Sequence, residues 1–286
     1  MPVVSAKSPT VRRRRLCGEL HRLREAARMT CDEVGRELGC TGSRISRIES
    51  GRLGIRPGDV RELLEVYRVT GPEAERLVQL ARDARQRGWW YAYNDVVSET
   101  MKTFVGLEAE ASSIQNYEAH FVPGLLQAEP YARELFTGVR PTPPADTVQR
   151  RLELRMARQQ VLRRTDPPDA WFILDEAVLR HRVGAPDVMR AQLAHLLEIG
   201  ELPNVTVQVI PFAAGVHFGM GSGFVVFDFP DPLDNPVAHT ENLVGAVFWE
   251  EQSEVDRCRV AFNHLRAAAL SDVGSRAFIG DMAKEI

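Results

Sequence analysis

Through the first third of the chain hydrophobic positions recur at spacings of three and four. Leu16, Leu20, Leu23 and Ala27 form one such stripe, the period of an amphipathic helix. Ser8-Pro9 predicts its start, a capping hydroxyl followed by a residue with no N–H to leave unpaired, and the helix runs to about Met29. Thr30, with Glu33 three residues on, forms a capping box for a second helix that buries Val34 and Leu38 and stops at Gly39. A third is capped by Thr41 and turns Ile45 and Ile48 inward. So short a turn forces these two helices to cross steeply, and Gly35 stands where a side chain would obstruct the crossing. Gly51 to Pro57 separates the third helix from a fourth over Val60, Leu63, Leu64 and Tyr67. Gly71-Pro72 breaks the chain again before a fifth, from Glu73 to Gln86, over Leu77, Val78 and Ala81.

From Gly88 the pattern mixes two periods. Helical spacing occupies Glu99 to Ser112, Gly124 to Phe136, Ala145 to Arg164, Pro186 to Ile199, Ser253 to Leu270 and Val273 onward. Strand patterns fall at Ile114 to Phe121, Ala170 to Leu174, Val205 to Pro211, Phe224 to Phe229, and in two pieces between Val237 and Trp249. The last strands follow one another through turn-rich loops, which predicts an antiparallel meander. The fold class is therefore an all-α five-helix domain followed by an α+β domain with a mostly antiparallel sheet.

A chain of 286 residues, 44% hydrophobic and 26% charged, has apolar mass for about two domains. No apolar run reaches the roughly 18 residues of a membrane span, and the positive charges of the N-terminus follow its weakly apolar stretch, unlike a signal peptide. A cytoplasmic protein is expected. Charge sharpens the division, because residues 1–87 hold 19 Lys and Arg against 12 Asp and Glu, a balance of +7, although the whole chain stands at -3. A basic first segment favours a polyanionic partner. The expected domains are a disordered tail over 1–7, a helical domain over 8–87 and an α+β domain over 88–286.

The stretch from Thr30 to Gly51, closing on Ile45-Ser-Arg-Ile-Glu-Ser-Gly51, resembles the helix-turn-helix of the Cro and phage-repressor class, the XRE family, over about residues 8–70. It departs from the family at Cys31, where Gln is common, and at Gly42, where a longer polar side chain often reaches a base. The resemblance implies a transcriptional regulator whose third helix enters the major groove of double-stranded DNA. With Ile45 and Ile48 turned inward, Gly42, Ser43, Ser46 and Arg47 are left outward and Arg44 sits on the flank. Arg47 is the expected base reader, through a bidentate contact to guanine; the competing arrangement ties it to Glu49 or to a neighbouring helix. Thr41, Arg44 and Arg52 are expected at phosphates, where they would fix register. Arg12, Arg13, Arg14 and Arg15 circle helix one, so one or two can reach the DNA backbone and the others are expected in solvent.

No catalytic phrase emerges from the second segment. Gly219-Met-Gly-Ser-Gly223 lacks the Lys and the following helix of a phosphate loop, and Asp228, Asp231 and Asp234 lack calcium-loop spacing. A zinc set of Cys17, His21, Cys31 and Cys40 lacks close ligand pairs, and these cysteines read as small apolar helix residues. Trp89, Trp90, Tyr91 and Tyr93 read as interdomain packing. Among the scattered histidines, His217, in a glycine-rich loop, is the one candidate ligand contact. Gly88-Trp-Trp-Tyr91, Val105-Gly-Leu-Glu-Ala-Glu-Ala111, Val122-Pro-Gly-Leu-Leu-Gln127 and Leu202-Pro-Asn-Val-Thr-Val-Gln-Val-Ile-Pro211 resemble the C-terminal domain of actinobacterial antitoxin-like regulators. That implies a small protein partner encoded nearby. A homodimer on a pseudo-palindromic operator is expected, since one recognition helix covers few base pairs. No cofactor, metal or catalysis is expected. The alternative is an enzyme of unknown reaction whose basic domain tethers it to DNA or regulates it.

Overall fold

The structure, a computed structural model, describes residues 9–138 and 143–286. The expected tail over 1–7 and the Ser8 cap lie outside the described residues. The chain divides into two compact units between Ala92 and Tyr93.

Five α-helices build the described part of the first unit: α1 (Pro9–Ala26), α2 (Cys31–Glu37), α3 (Gly42–Glu49), α4 (Pro57–Val66) and α5 (Pro72–Asp83). The predicted inward positions meet in one core, which gathers Leu16, Leu20 and Leu23 of α1, Val34 of α2, Ile45 and Ile48 of α3, Leu63 and Leu64 of α4, and Leu77 and Val78 of α5. Helix α1 stops three residues before the expected Met29, and Arg28 takes the left-handed conformation, φ 56°, in the turn that follows.

In the second unit a six-stranded sheet runs in the order β3-β2-β1-β4-β5-β6. Its strands are β1 (Ser113–Glu118), β2 (Asp169–Asp175), β3 (Val205–Ile210), β4 (Phe224–Asp228), β5 (Val237–Glu241) and β6 (Ala246–Trp249). The pairings of β1 with β4, β4 with β5 and β5 with β6 are antiparallel, as the meander predicted. Strands β1, β2 and β3 are parallel, so the sheet is mixed. The cause lies in the connections: α7 (Glu129–Gly138) and α8 (Ala145–Gln159) separate β1 from β2, and α9 (Glu176–Arg180) and α10 (Pro186–Ile199) separate β2 from β3. Crossovers of that length return the chain to the same end of the sheet.

Alternation along the strands divides the side chains between two layers. One face presents Tyr117, Ile173, Phe224 and Val226 to Val255, Phe262 and Leu265 of α11 (Gln252–Ala268). The other carries Phe227 and His239, whose rings stand 5.3 and 4.8 Å from that of Phe104 on α6 (Glu99–Glu110). Helix α6 is locked to α8 by a buried bidentate pair, Arg158 Nε and Nη2 donating to Glu108 Oε1 and Oε2 at 2.9 and 2.8 Å. The outer edge of β3 is covered by α12 (Asp272–Glu285), where the Val209 amide donates to Ser275 Oγ at 3.0 Å.

Candidate nucleic-acid interface

Helix α3 is set in place by local chemistry at both ends and along its inner face. At the preceding helix, Thr30 Oγ1 accepts from the Glu33 amide at 3.2 Å while Glu33 Oε2 accepts from the Thr30 amide at 2.7 Å, the reciprocal capping box. The backbone hydrogen bond to Glu33 holds its carboxyl below the usual range. The chain turns through Gly39 at φ 62°, and Thr41 then caps α3, its hydroxyl accepting from the Arg44 amide at 3.3 Å. At the other end Gly51, φ 68°, closes the helix, and its carbonyl accepts from Arg13 Nη2 at 2.6 Å.

The α2–α3 crossing is as close as the sequence demanded. A Cβ on Gly35 would come within 2.8 Å of the Cys40 carbonyl oxygen and of the Gly42 nitrogen. Gly42 itself differs from expectation. It is buried, not outward, and a Cβ there would come within 2.8 Å of the Asp32 amide nitrogen and 2.9 Å of its Cα, besides meeting the Asp32 carboxylate. The physical reason is the steep crossing, which presses the first turn of α3 onto the start of α2. The position therefore offers DNA no side chain and cannot accommodate the longer residue that the XRE resemblance associates with it.

The remaining predicted residues, Thr41, Ser43, Arg44, Ser46, Arg47 and Arg52, are exposed. Ser43, Ser46, Arg47 and Ser50 share one outer stripe, offset from the buried Ile45 and Ile48. Arg47 is not tied to Glu49; its Nε donates to the Ser43 carbonyl at 3.3 Å, along its own helix. Arg44 reaches Asp59 of α4, Nη2 to Oδ2 3.3 Å, in a half-exposed pair.

Residues 15–77 match a family model described as a helix-turn-helix domain, so the first unit carries the fold of a DNA-binding regulator. Residues 101–281, well over half of the chain, match the family described as Domain of unknown function (DUF5753). The chain belongs to the DUF5753 family. No curated protein and no solved structure matches it.

Two further expectations change for this DUF5753 protein. None of Arg12, Arg13, Arg14 and Arg15 is fully exposed. Arg13 binds the end of α3, and Arg12 lies 3.9 Å from Asp83 with a side chain 12% exposed. The run packs inward because four consecutive residues must cover every side of the helix, including the one that faces its neighbours. His217 is also committed. Its Nε2 lies 3.3 Å from Asp175 Oδ2, its Nδ1 accepts from the Gly219 amide at 3.2 Å, and its side chain is 8% exposed. With both ring nitrogens engaged it pins the loop to the end of β2 and presents no free nitrogen to a ligand.

An ion pair that the sequence reading missed braces α3 from behind. Arg24 Nε donates to Glu49 Oε1 at 2.8 Å and to Oε2 at 3.1 Å, and Arg24 Nη1 donates to the Met29 carbonyl at 2.7 Å. The Glu49 hydrogen bonds raise the guanidinium pKa further above its ordinary value. The signal was present: Arg24 stands four residues after Leu20 on the apolar stripe, where a charge requires a partner. His21 joins the network, Nδ1 to Glu49 Oε2 2.9 Å. Among the described residues no three His, Cys, Asp or Glu side chains gather as metal ligands, and no helix is long and apolar enough to cross a membrane.

Proposed function

We propose that this protein is a sequence-specific transcriptional regulator of the XRE class, acting in the cytoplasm as a homodimer on a pseudo-palindromic operator. The observation that carries the reading is the exposed stripe of Ser43, Ser46 and Arg47 on a helix fixed by Ile45, Ile48 and Glu49. A rigid helix with one short-polar and cationic outer face suits the major groove, where it can read base edges at fixed depth. Arg47 is the base reader in this proposal. Thr41, Arg44 and Arg52 hold phosphates, Arg44 by exchanging its half-exposed Asp59 partner for a phosphate oxygen. Two copies place two such helices about 34–36 Å apart along the duplex.

The second unit is the sensing half, binding an effector or a small protein partner in the manner the antitoxin-like resemblance implies. Phe212, Val216, Phe218 and Met220, all exposed within one loop, support a protein-facing role. No catalytic step is assigned to the chain.

Selection of preferred duplexes from a random pool, followed by salt-dependent binding, tests the proposal. Arg47→Ala weakens the best site by about 1–3 kcal/mol and relaxes one base position. Arg44→Ala weakens all sequences alike and flattens the salt slope by about one unit. Equal small effects of both variants, or no preference for any duplex over scrambled competitor, would falsify it.

A further inference from the structure

Between α6, α7 and α8 of the second unit lies a cleft of about 470 Å³. Met101, Phe121, Leu135 and Phe136 form an apolar part of its wall, and Arg151, Arg155 and Arg158 bring three guanidinium groups to it. Arg158 is neutralised by its bidentate pair with Glu108. Arg155 is held but not neutralised. Its Nη1 donates to Gln127 Oε1 at 2.7 Å, Gln127 is itself fixed by its Nε2 donating to the Val122 carbonyl at 2.7 Å, and the guanidinium lies 5.1 Å from the Phe136 ring centre. Among the described residues neither Arg155 nor Arg151 forms an ion pair. Glu241 is the one carboxylate on the wall, and it attracts Arg155 without forming an ion pair with it.

A cation taken out of water without a counter-ion is costly. Burial, with Arg158 adding repulsion, outweighs the attraction of Glu108 and Glu241 and lowers the Arg155 pKa to about 9. A planar donor fork, pre-oriented by a buried amide, is the arrangement that receives a carboxylate with least loss of freedom. The neighbouring apolar wall accepts what the carboxylate is attached to.

We propose that this cleft binds a small organic acid, its carboxylate on Arg155 and Arg151 and its apolar body against Met101, Phe121, Leu135 and Phe136. The site gives the sensing half a ligand class. It rests on that reading only for its consequence at DNA, because binding is scored without DNA and a failure to select an operator leaves it untouched.

The probe is decanoate, titrated calorimetrically into the full chain, with decanol and inorganic sulfate as the matched uncharged and body-less compounds. Decanoate binds the unaltered protein, while decanol and sulfate bind at least about tenfold more weakly, the share expected for a charge-assisted contact and for the buried apolar body respectively. Arg155→Met, which keeps the apolar volume, and Arg151→Met each weaken decanoate by about tenfold or more. Circular dichroism establishes that each variant is folded. Should Arg155→Met not fold, Arg151→Met, on a half-buried residue outside the Arg158–Glu108 lock, carries the test. The proposal is overturned by no decanoate binding up to about 1 mM, by decanol or sulfate matching decanoate, or by undiminished affinity in a folded arginine variant.

Discussion

Removing the carboxylate of Glu49 isolates the role of the pair behind α3. The Arg24 and Glu49 side chains are 9% and 6% exposed, so both charges have already lost most of their water. Taking one partner from a buried pair costs about 3–5 kcal/mol, since the other charge is left uncompensated. Here Glu25 Oε1, 2.6 Å from Arg24 Nη1 but on a side chain 61% exposed, supplies a weak second counter-charge, which places Glu49→Ala near the lower end, about 3 kcal/mol. Glu49→Gln keeps a hydrogen-bond acceptor and costs less, about 1.5–2 kcal/mol. Replacing both partners, Arg24→Met with Glu49→Leu, removes the stranded charge and restores most of the loss, as apolar substitutes do for buried pairs elsewhere. Native-state hydrogen exchange of the Ile45 to Ile48 amides reads this locally, which matters because a chain of two units does not unfold in one step. Protection in the double variant should approach that of the unaltered protein while Glu49→Ala falls well below both. A single-variant loss under about 1 kcal/mol, or a double variant no better than the single, would show that the pair does not bear on the placement of α3.

Two other perturbations follow from the same structure. Gly42→Ala drives a methyl group into the Asp32 backbone at 2.8–2.9 Å, which neither helix can relieve without shifting, so about 1–3 kcal/mol of stability is lost; operator affinity falls with it, although the position offers DNA no side chain. Undiminished affinity in a folded Gly42→Ala protein would remove the crossing from the account of how α3 is aimed. In the sheet, burial raises the Glu118 carboxyl from 4.5 to about 7, while burial lowers the His239 imidazole from 6.5 to about 4. Glu118 therefore contributes stability that is present in acid and lost as pH rises from 4.5 through about 7. His239 contributes stability that is present above 6.5 and lost as pH falls toward 4. The two slopes oppose each other, so Glu118→Gln should leave sheet stability rising with pH across their shared window and His239→Phe should leave it falling. Thermal unfolding followed by the infrared band of the sheet distinguishes them; identical pH slopes in both variants would refute the assignment.

The helical unit was legible because its determinants are local. Thr30, Glu33, Gly39 and Thr41 act within a turn of their own positions, and the inward residues Ile45 and Ile48 follow from spacing alone. Arg24 with Glu49 was not legible in the same way. Arg24 stands on the apolar stripe of α1, which calls for a partner, but which residue supplies it depends on how α1 and α3 meet, which periodicity does not encode. The four arginines from Arg12 to Arg15 show the same limit. Periodicity says they circle a helix, but which side receives the end of α3 is a tertiary fact, and Arg13 turned out to bind the Gly51 carbonyl there.

The antiparallel meander was legible in the sequence, while the parallel pairing of the first three strands was not, for a related reason that bears on where a ligand site lies. Strand direction is set by what joins the strands, and the sequence already placed two helical stretches between β1 and β2 and another between β2 and β3. Giving those connections the weight given to the short loops after β4 leads to parallel pairing for the first three strands. The helices of the first crossover then return over the fold, where α8 is locked to α6 and α7 joins them in lining the cleft. A hairpin in their place would have removed the helix that carries Arg155. The guanidinium without an ion pair and its apolar wall are thus consequences of the parallel half of the fold, while the antiparallel half supplies only Glu241 to the rim.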